Sequence, residues 1–426
     1  MKNLNVLSTL FVGIDVSSKT NVCTGMDFNS NVLFRLDVPN NQAGADALKT
    51  KLLEMIQTHR FKSTVVALES TSFYGLHISN FLSSDEELLP HHVYVHPLNP
   101  KMISNYKKSF IGLGKTDAID AYVIADFARV GRITTQPWKG PQYLALQRLT
   151  RHRLHLVECI SREKTYMVSN IFIKFSELAV LKENDHPFSS NHTATAKAIL
   201  TEMLSLEDIS NLSSEELVNF VCKHSKNRFG DPENVCKLLQ KAARDSYRLD
   251  KTVYEPITVS IASSFNCINA YEQEIKTINK AIEKTFKGLS ADAFTVLQSI
   301  PGIGPVFASG ILAEIGDIHA FHSADALAKY AGIYWNRNQS GDYEADDKHM
   351  SKAGNKYLRY YLIEATDSIR KHEPTFAAYY RKKYDESKTH QHKRALALTS
   401  RKTIRMIYGL LDRNQLYSAN RVSITS

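Results

Sequence analysis

"LFVGIDVSS", Leu10 to Ser18, is a short apolar run that reaches a carboxylate, Asp15, and then breaks into serines. A run of this length bounded by turn residues predicts a buried strand. "NVCTGMDF" (21–28) and "VLFRLDV" (32–38) follow with turn residues between them. Next come a helical stretch, "AGADALKTKLLEMIQTH" (43–59), the strand "STVVALE" (63–69), another helix, and the strand "HHVYVHP" (91–97). Three strands joined by tight turns, then helix alternating with strand, describe an α/β sheet with an antiparallel front. Asp15 ends the first strand and Glu69 ends "STVVALE". Adjacent strands that finish at one sheet edge put these two acids side by side.

A second pair of acids lies in "GKTDAIDAYVIADFAR", Gly114 to Arg129. The apolar pattern predicts a helix, with Thr116 as its N-cap. Asp117 and Asp120 are three apart, so their carboxylates leave the helix on one face. They either complement the helix dipole from its first turn or share a cation. With Asp15 and Glu69 they make four carboxylates that can hold two magnesium ions, which take hard oxygen ligands and stabilise the attacking and leaving oxygens of phosphoryl transfer. Lys115, just before the pair, can sit on a nearby phosphate.

The bulk properties restrict the class. The chain has 426 residues, 43% hydrophobic and 23% charged, ordinary for a globular protein of about three domains. No apolar run is long enough to span a membrane, and the start reads as a polar lead-in to the first strand rather than a cleaved signal. Five dispersed cysteines (Cys23, Cys159, Cys222, Cys236, Cys267) disfavour a zinc ribbon or disulfide framework and fit a reducing cytosol. The net charge is +9, and residues 351–426 hold 16 Lys and Arg against 6 Asp and Glu. "RKKYDESKTHQHKR" and "SRKTIR", with Tyr379, Tyr380 and Tyr384 nearby, describe either a phosphate-binding surface or a solvated basic face.

Three segments follow from the patterning: an α/β domain over 1–140, a helical region over 141–290, and a C-terminal domain over 291–426. In the second, Ile261, Ile268, Ile275 and Ile282 recur every seven residues, with Tyr271 and Ile278 in the alternate seam, a coiled-coil signal. An earlier partner stripe runs through Leu149, Leu156, Ile160 and Met167, interrupted by Arg153 and Glu163. Burial of both helices in one globular core is the other reading. Between them, Ser213 and Glu216 make a capping box that marks a helical insert. The third segment opens with "LQSIPGIGPVFASGILAEIGD", two apolar helices around a Pro-Gly-x-Gly turn. Gly302 and Gly304 there offer backbone N–H groups to a nucleic-acid phosphate as in a helix-hairpin-helix, or simply close a helical hairpin.

Other features carry less. An actin-like or sugar-kinase phosphate loop is set aside, because Val16, Ser17, Ser18 and Lys19 follow Asp15 where glycine and threonine are needed. His91, His92 and His96 alternate along a strand, so no face carries all three, and structural roles are expected. Tyr334 and Trp335 suit either base stacking or core packing.

Seven stretches in this order, "FVGIDVSSKTNV", "VVALESTSFYG", "VHPLNPKMISNYKKS", "KTDAIDAYVIADFAR", "SIPGIGPVFASGILAEIGD", "YAGIYWNRNQSG" and "MSKAGNKYLRYYLIEA", resemble the DEDD transposases of the insertion-sequence-110 family, relatives of the Piv DNA invertases. The resemblance implies a RuvC-like RNase H-fold domain whose four acids are Asp15, Glu69, Asp117 and Asp120. It implies a nucleophilic serine at Ser340 in "NRNQSG", with Ser351 in "MSKAGN" as the competing candidate, and a covalent phosphoserine link to DNA. It further implies Mg2+ as cofactor, donor and target double-stranded DNA and a structured bridge RNA as partners, and a prokaryotic cytosolic location. Homodimers are expected to pair into a homotetramer with a composite active site drawn from two protomers. Gly341 leaves room for a phosphate and Arg337 can neutralise it; Lys352, Lys356 and Arg359 are further candidates for nucleic-acid contact. The neighbouring acids Asp342, Glu344, Asp346 and Asp347 have no assigned role.

Two other functions fit parts of this pattern. A RuvC-like, Mg2+-dependent nuclease would need only the four acids and water. A non-catalytic, RNA-guided DNA-binding protein would need neither acids nor serine. All three bind nucleic acid with steep salt dependence, so reaction products separate them.

Overall fold

The computed structural model describes the chain except residues 1–3, 70–72, 111, 113, 115, 132, 134–137, 139, 183–184, 204, 287–290, 336–338, 341–342, 345–349 and 420–426, and except the side chains at 291, 339, 340, 343 and 344. It is a mixed α/β and mainly helical protein, with one five-stranded sheet among the described residues. The chain forms two compact units. One comprises residues 1–145, 315–327 and 405–415; the other comprises 146–314, 328–404 and 416–426.

The first unit is built on the strands read from the sequence. β1 (Thr9–Val16), β2 (Thr20–Met26) and β3 (Val32–Pro39) pair antiparallel in succession. α1 (Gln42–His59) leads to β4 (Ser63–Glu69), α2 (Gly75–Ser84) to β5 (Val93–Leu98), and α3 (Pro100–Lys107) and α4 (Asp117–Arg129) follow. β4 lies parallel to β1 and β5 parallel to β4, giving the strand order β3-β2-β1-β4-β5. A parallel return needs a crossover, which α1 and α2 supply.

Strand alternation divides the core into two layers. Leu10, Val12, Ile14, Val66 and Leu68 pack with Leu48, Leu52 and Met55 of α1 and Ile78 of α2. Phe11, Val65, Ala67 and Leu98 face the other way, onto Val123, Ile124 and Phe127 of α4 and Ile103 of α3. Gly13 belongs to this second face. A Cβ there would lie 2.2 Å from the Ala121 carbonyl oxygen and 2.3 Å from the Ala125 nitrogen. α4 therefore crosses β1 backbone to backbone, which only glycine permits.

The second unit is helical. α5 (Pro141–Lys174) begins in the first unit and continues here; α6 (Ser176–Val180), α7 (Ala194–Thr201), α8 (Leu206–Asn211), α9 (Ser214–Ser225), α10 (Pro232–Asp245) and α11 (Lys251–Phe286) complete the middle of the chain. The isoleucine seam buries Ile261 and Ile268 with Phe265 in one globular core, shared with Met167 and Ile171 of α5 and with the insert residues Ile199, Leu217 and Leu239. The capping box is present: Ser213 Oγ accepts from Glu216 N at 3.2 Å and Glu216 Oε2 from Ser213 N at 3.1 Å.

α12 (Ala291–Gln298) and α13 (Pro305–Ile315) are the two helices expected on either side of the Pro-Gly-x-Gly turn. α14 (Ala324–Ala331), the short strands β6 (Gln339–Ser340) and β7 (Tyr343–Glu344), α15 (Lys356–His372), α16 (Pro374–Asp385) and α17 (Gln391–Asp412) follow, α14 and α17 each running from one unit into the other. All five cysteines are unpaired. No helix among the described residues is long and apolar enough to cross a membrane.

Candidate active site

Two strand ends and one helix start bring the four acids into one electrostatic group. The β1/β4 register pairs Ile14 with Leu68, the residues that precede Asp15 and Glu69. Asp15 shares its strand face with Gly13, two residues earlier, and Glu69 with Ala67, so both acids lie on the side covered by α4. α4 starts at Asp117, capped by Thr116, whose side chain accepts from Ile119 N at 3.3 Å. One turn later comes Asp120, followed at once by Ala121, the residue whose carbonyl crowds Gly13. The close crossing at Gly13 thus sets the head of α4 beside the end of β1.

The charges respond to this proximity. Burial raises the Asp15 pKa above its ordinary value, and the charges of Asp120 and Asp117 raise it further; Lys107 and the Val16 N–H pull the other way. Burial likewise raises Glu69, with Asp15 and Asp120 adding to it and Lys107 opposing. Asp15, Glu69 and Asp120 are half-buried, and Asp117 is exposed. Lys107 Nζ forms an ion pair with Asp120 Oδ1.

The donor chemistry fits magnesium: four carboxylates supply hard oxygens, and a dication would offset the burial and the mutual repulsion that together raise Asp15 and Glu69. In this conformation, among the described residues, no three acidic, histidine or cysteine side chains are gathered as an ion-holding group. Lys107 supplies the positive charge instead.

The remaining candidates divide by surroundings. Lys115 and Arg337 lie outside the described residues, as does the side chain of Ser340; the Ser340 backbone pairs with Tyr343 across β6 and β7. The segment that carries it is closed at its base by an antiparallel bridge between Trp335 and Met350, and Ser351 N donates to the Tyr334 carbonyl at 2.8 Å. Gly302 has φ +93°, and a Cβ there would strike Ile369 N of α15 at 2.9 Å, so this turn packs on a helix; a Cβ on Gly304 would meet nothing within 4 Å. Lys352 and Lys356 are exposed. Arg359 is engaged inside the unit, its Nη1 donating to the carbonyls of Ala331 (3.0 Å) and Lys352 (2.9 Å).

Three residues escaped the sequence reading. Gly13 acts through a contact with a helix more than a hundred positions away, which no local pattern reveals. Lys107 sits beside Lys108 in "NYKKS", and nothing in that string tells which lysine turns inward. Glu314 is fully buried, pairs with Arg151 at 2.7 Å, and accepts from Asn355 Nδ2 at 2.7 Å and Gln147 Nε2 at 3.2 Å. These bonds tie α13 and α5 to the N-cap of α15.

Two family models match separate stretches of the chain. A family model for DEDD transposases of IS110, described as "Transposase", matches residues 12–171, which include all four acids. A model described as "Transposase IS116/IS110/IS902 family" matches residues 295–381. The chain is 23% identical, over 96% of its own length and 96% of the relative's, to the uncharacterized 44.8 kDa protein of insertion element IS116 from Streptomyces clavuligerus. It is 27% identical to the uncharacterized 42 kDa protein of IS900 from Mycobacterium paratuberculosis, over 72% of this chain and 74% of that one. Similarity to the transposase of IS1111A from Coxiella burnetii reaches 31% identity over 29% of this chain and 31% of the relative.

Proposed function

This chain belongs to the IS110 family of insertion-sequence transposases, and on that premise we propose that it exchanges DNA strands through a covalent phosphoserine intermediate on Ser340, with Asp15, Glu69, Asp117 and Asp120 holding Mg2+. The observation that supports the reading is that Asp15 and Glu69 end neighbouring strands on the side covered by α4, where burial raises both and the charges of nearby acids, Asp120 for each, add to it. The strand order β3-β2-β1-β4-β5 supports reading their domain as a RuvC-like RNase H fold.

The chemistry balances with these residues. Ser340 Oγ attacks a backbone phosphorus and gives up its proton to a general base; the bond from phosphorus to a sugar oxygen breaks, and that oxygen takes a proton. Reverse attack by the sugar hydroxyl of the exchanged strand restores a phosphodiester and frees the serine. Magnesium, when bound, stabilises charge on the attacking and leaving oxygens. The carboxylates fix its position and tune the local charge. Lys352 and Lys356, both exposed, would contact phosphates, whereas Arg359 braces the base of the Ser340 segment.

Donor and target are read in this proposal by base pairing to a bridge RNA, and homodimers pair into a homotetramer. A hydrolytic nuclease is the second reading, favoured by the fact that the four acids alone suffice for attack by water. Peptide mass mapping after reaction with matched DNA, RNA and Mg2+ separates the two. A DNA adduct on Ser340 supports the proposal, and one on Ser351 relocates the nucleophile. Cleaved DNA without any adduct, unchanged in Ser340→Ala, makes the protein a nuclease.

A further inference from the structure

Lys107 is the last residue of α3, and its ammonium lies against Asp120 with each side chain only 24% exposed. Its mount is rigid. Ile103, one turn earlier, is buried in the layer beneath α4. Tyr106 Oη donates to Asp126 Oδ2 at 2.6 Å, and Asp126 is fixed in turn by Arg129 Nε at 2.8 Å. The Tyr106 ring also meets Phe110 and Phe127 edge-on. The residue after Tyr106 is therefore delivered to the head of α4 by packed structure. From there its ammonium reaches the Asp120 carboxylate at the head of α4.

One cation among four carboxylates does part of the work of a divalent ion. It also occupies an oxygen that such an ion would need. We propose that Lys107 is the built-in counter-ion of this site: it holds Asp120 while the carboxylates carry no metal, competes with a divalent cation for that oxygen, and on displacement offers its ammonium to a DNA phosphate. Lysine suits the role because its compact charge rides on a flexible four-carbon stem, whereas arginine would grip a carboxylate with two parallel bonds. The inference rests on reading the four acids as an ion site.

The test is Mn2+ binding to the full-length protein, measured as loss of the free-ion electron paramagnetic resonance signal, for wild type, Lys107→Met, Lys107→Arg and Asp120→Asn. Removing the competing charge should tighten Mn2+ about five-fold in Lys107→Met, the upper scale for a partly exposed ion pair. The same variant should melt at a lower temperature than wild type in chelator. Lys107→Arg should bind no tighter than wild type, and Asp120→Asn should lose affinity. If Asp120→Asn loses Mn2+ while Lys107→Met binds as wild type or more weakly, the ion site stands and the counter-ion role is overturned. If Asp120→Asn binds as wild type does, the ion-site reading falls and takes the proposal with it.

Discussion

Gly13→Ala is a one-methyl test of how the active site is assembled. The added Cβ would stand 2.2 Å from the Ala121 carbonyl oxygen and 2.3 Å from the Ala125 nitrogen, both backbone atoms of α4. No side chain can swing away, so the helix itself must withdraw. Ordinary contact begins near 3.4 Å, so the required shift is about 1.2 Å. Overpacking of this kind costs about 2–3 kcal/mol. At roughly 2–4 °C per kcal/mol for a unit of this size, the melting temperature should fall by about 5–10 °C. The same shift carries Asp117 and Asp120 away from Asp15, and a displacement near 1 Å can lower the rate by ~100-fold. Differential scanning calorimetry measures the first effect and single-turnover strand cleavage the second. Gly230→Ala serves as the control, since a Cβ there meets nothing within 4 Å. A Gly13→Ala protein that melts within a degree of wild type would refute the close crossing of α4 over β1.

Three further outcomes follow from other parts of the structure. Glu314→Ala leaves the half-buried Arg151 guanidinium without its carboxylate and takes from the Asn355 amide its shorter hydrogen bond, and should cost about 3–5 kcal/mol in thermal or urea unfolding. Thr116→Ala removes the N-cap of α4 and should cost about 1 kcal/mol, read from the same melts, with the first turn carrying Asp117 and Asp120 loosened. Burial lowers the Lys174 pKa from its ordinary 10.5 to about 8, so between those values the unfolded chain binds the proton that the folded one has lost. Stability should therefore rise with pH across that window, relative to Lys174→Met, in urea unfolding followed by circular dichroism.

What could be read from the sequence was what is local. The three opening strands, the carboxylates at the ends of β1 and β4, the Thr116 cap and the Ser213–Glu216 box each rest on a few adjacent residues, and all are found. The isoleucine repeat was legible as a buried stripe, and of its expected partner stripe Met167 and Ile160 share its core, but the insert residues that complete that core were not legible. Ile261 and Ile268 meet insert residues such as Ile199 and Leu239, whose positions depend on how several short helices pack. Glu314 could not be found by pattern, because an acid in "ILAEIGD" reads as solvated until Arg151, 163 residues earlier, is brought to it. Arg359 shows the converse: a basic residue counted toward nucleic acid is engaged on two backbone carbonyls. Gly13 and Lys107 matter through tertiary contacts with α4, and composition carries no trace of either.

The most direct test of the central claim, that Asp15, Glu69, Asp117 and Asp120 form one functional group, is single-turnover DNA cleavage in Mg2+ with guide RNA and matched substrates. Asp15→Asn, Glu69→Gln, Asp117→Asn and Asp120→Asn would be measured separately, each alongside its affinity for the same DNA–RNA complex. Every one of the four should lower the cleavage rate by about two orders of magnitude or more while binding stays close to wild type. Wild-type cleavage by any one of these variants would remove that residue from the site, and wild-type cleavage by all four would contradict the account.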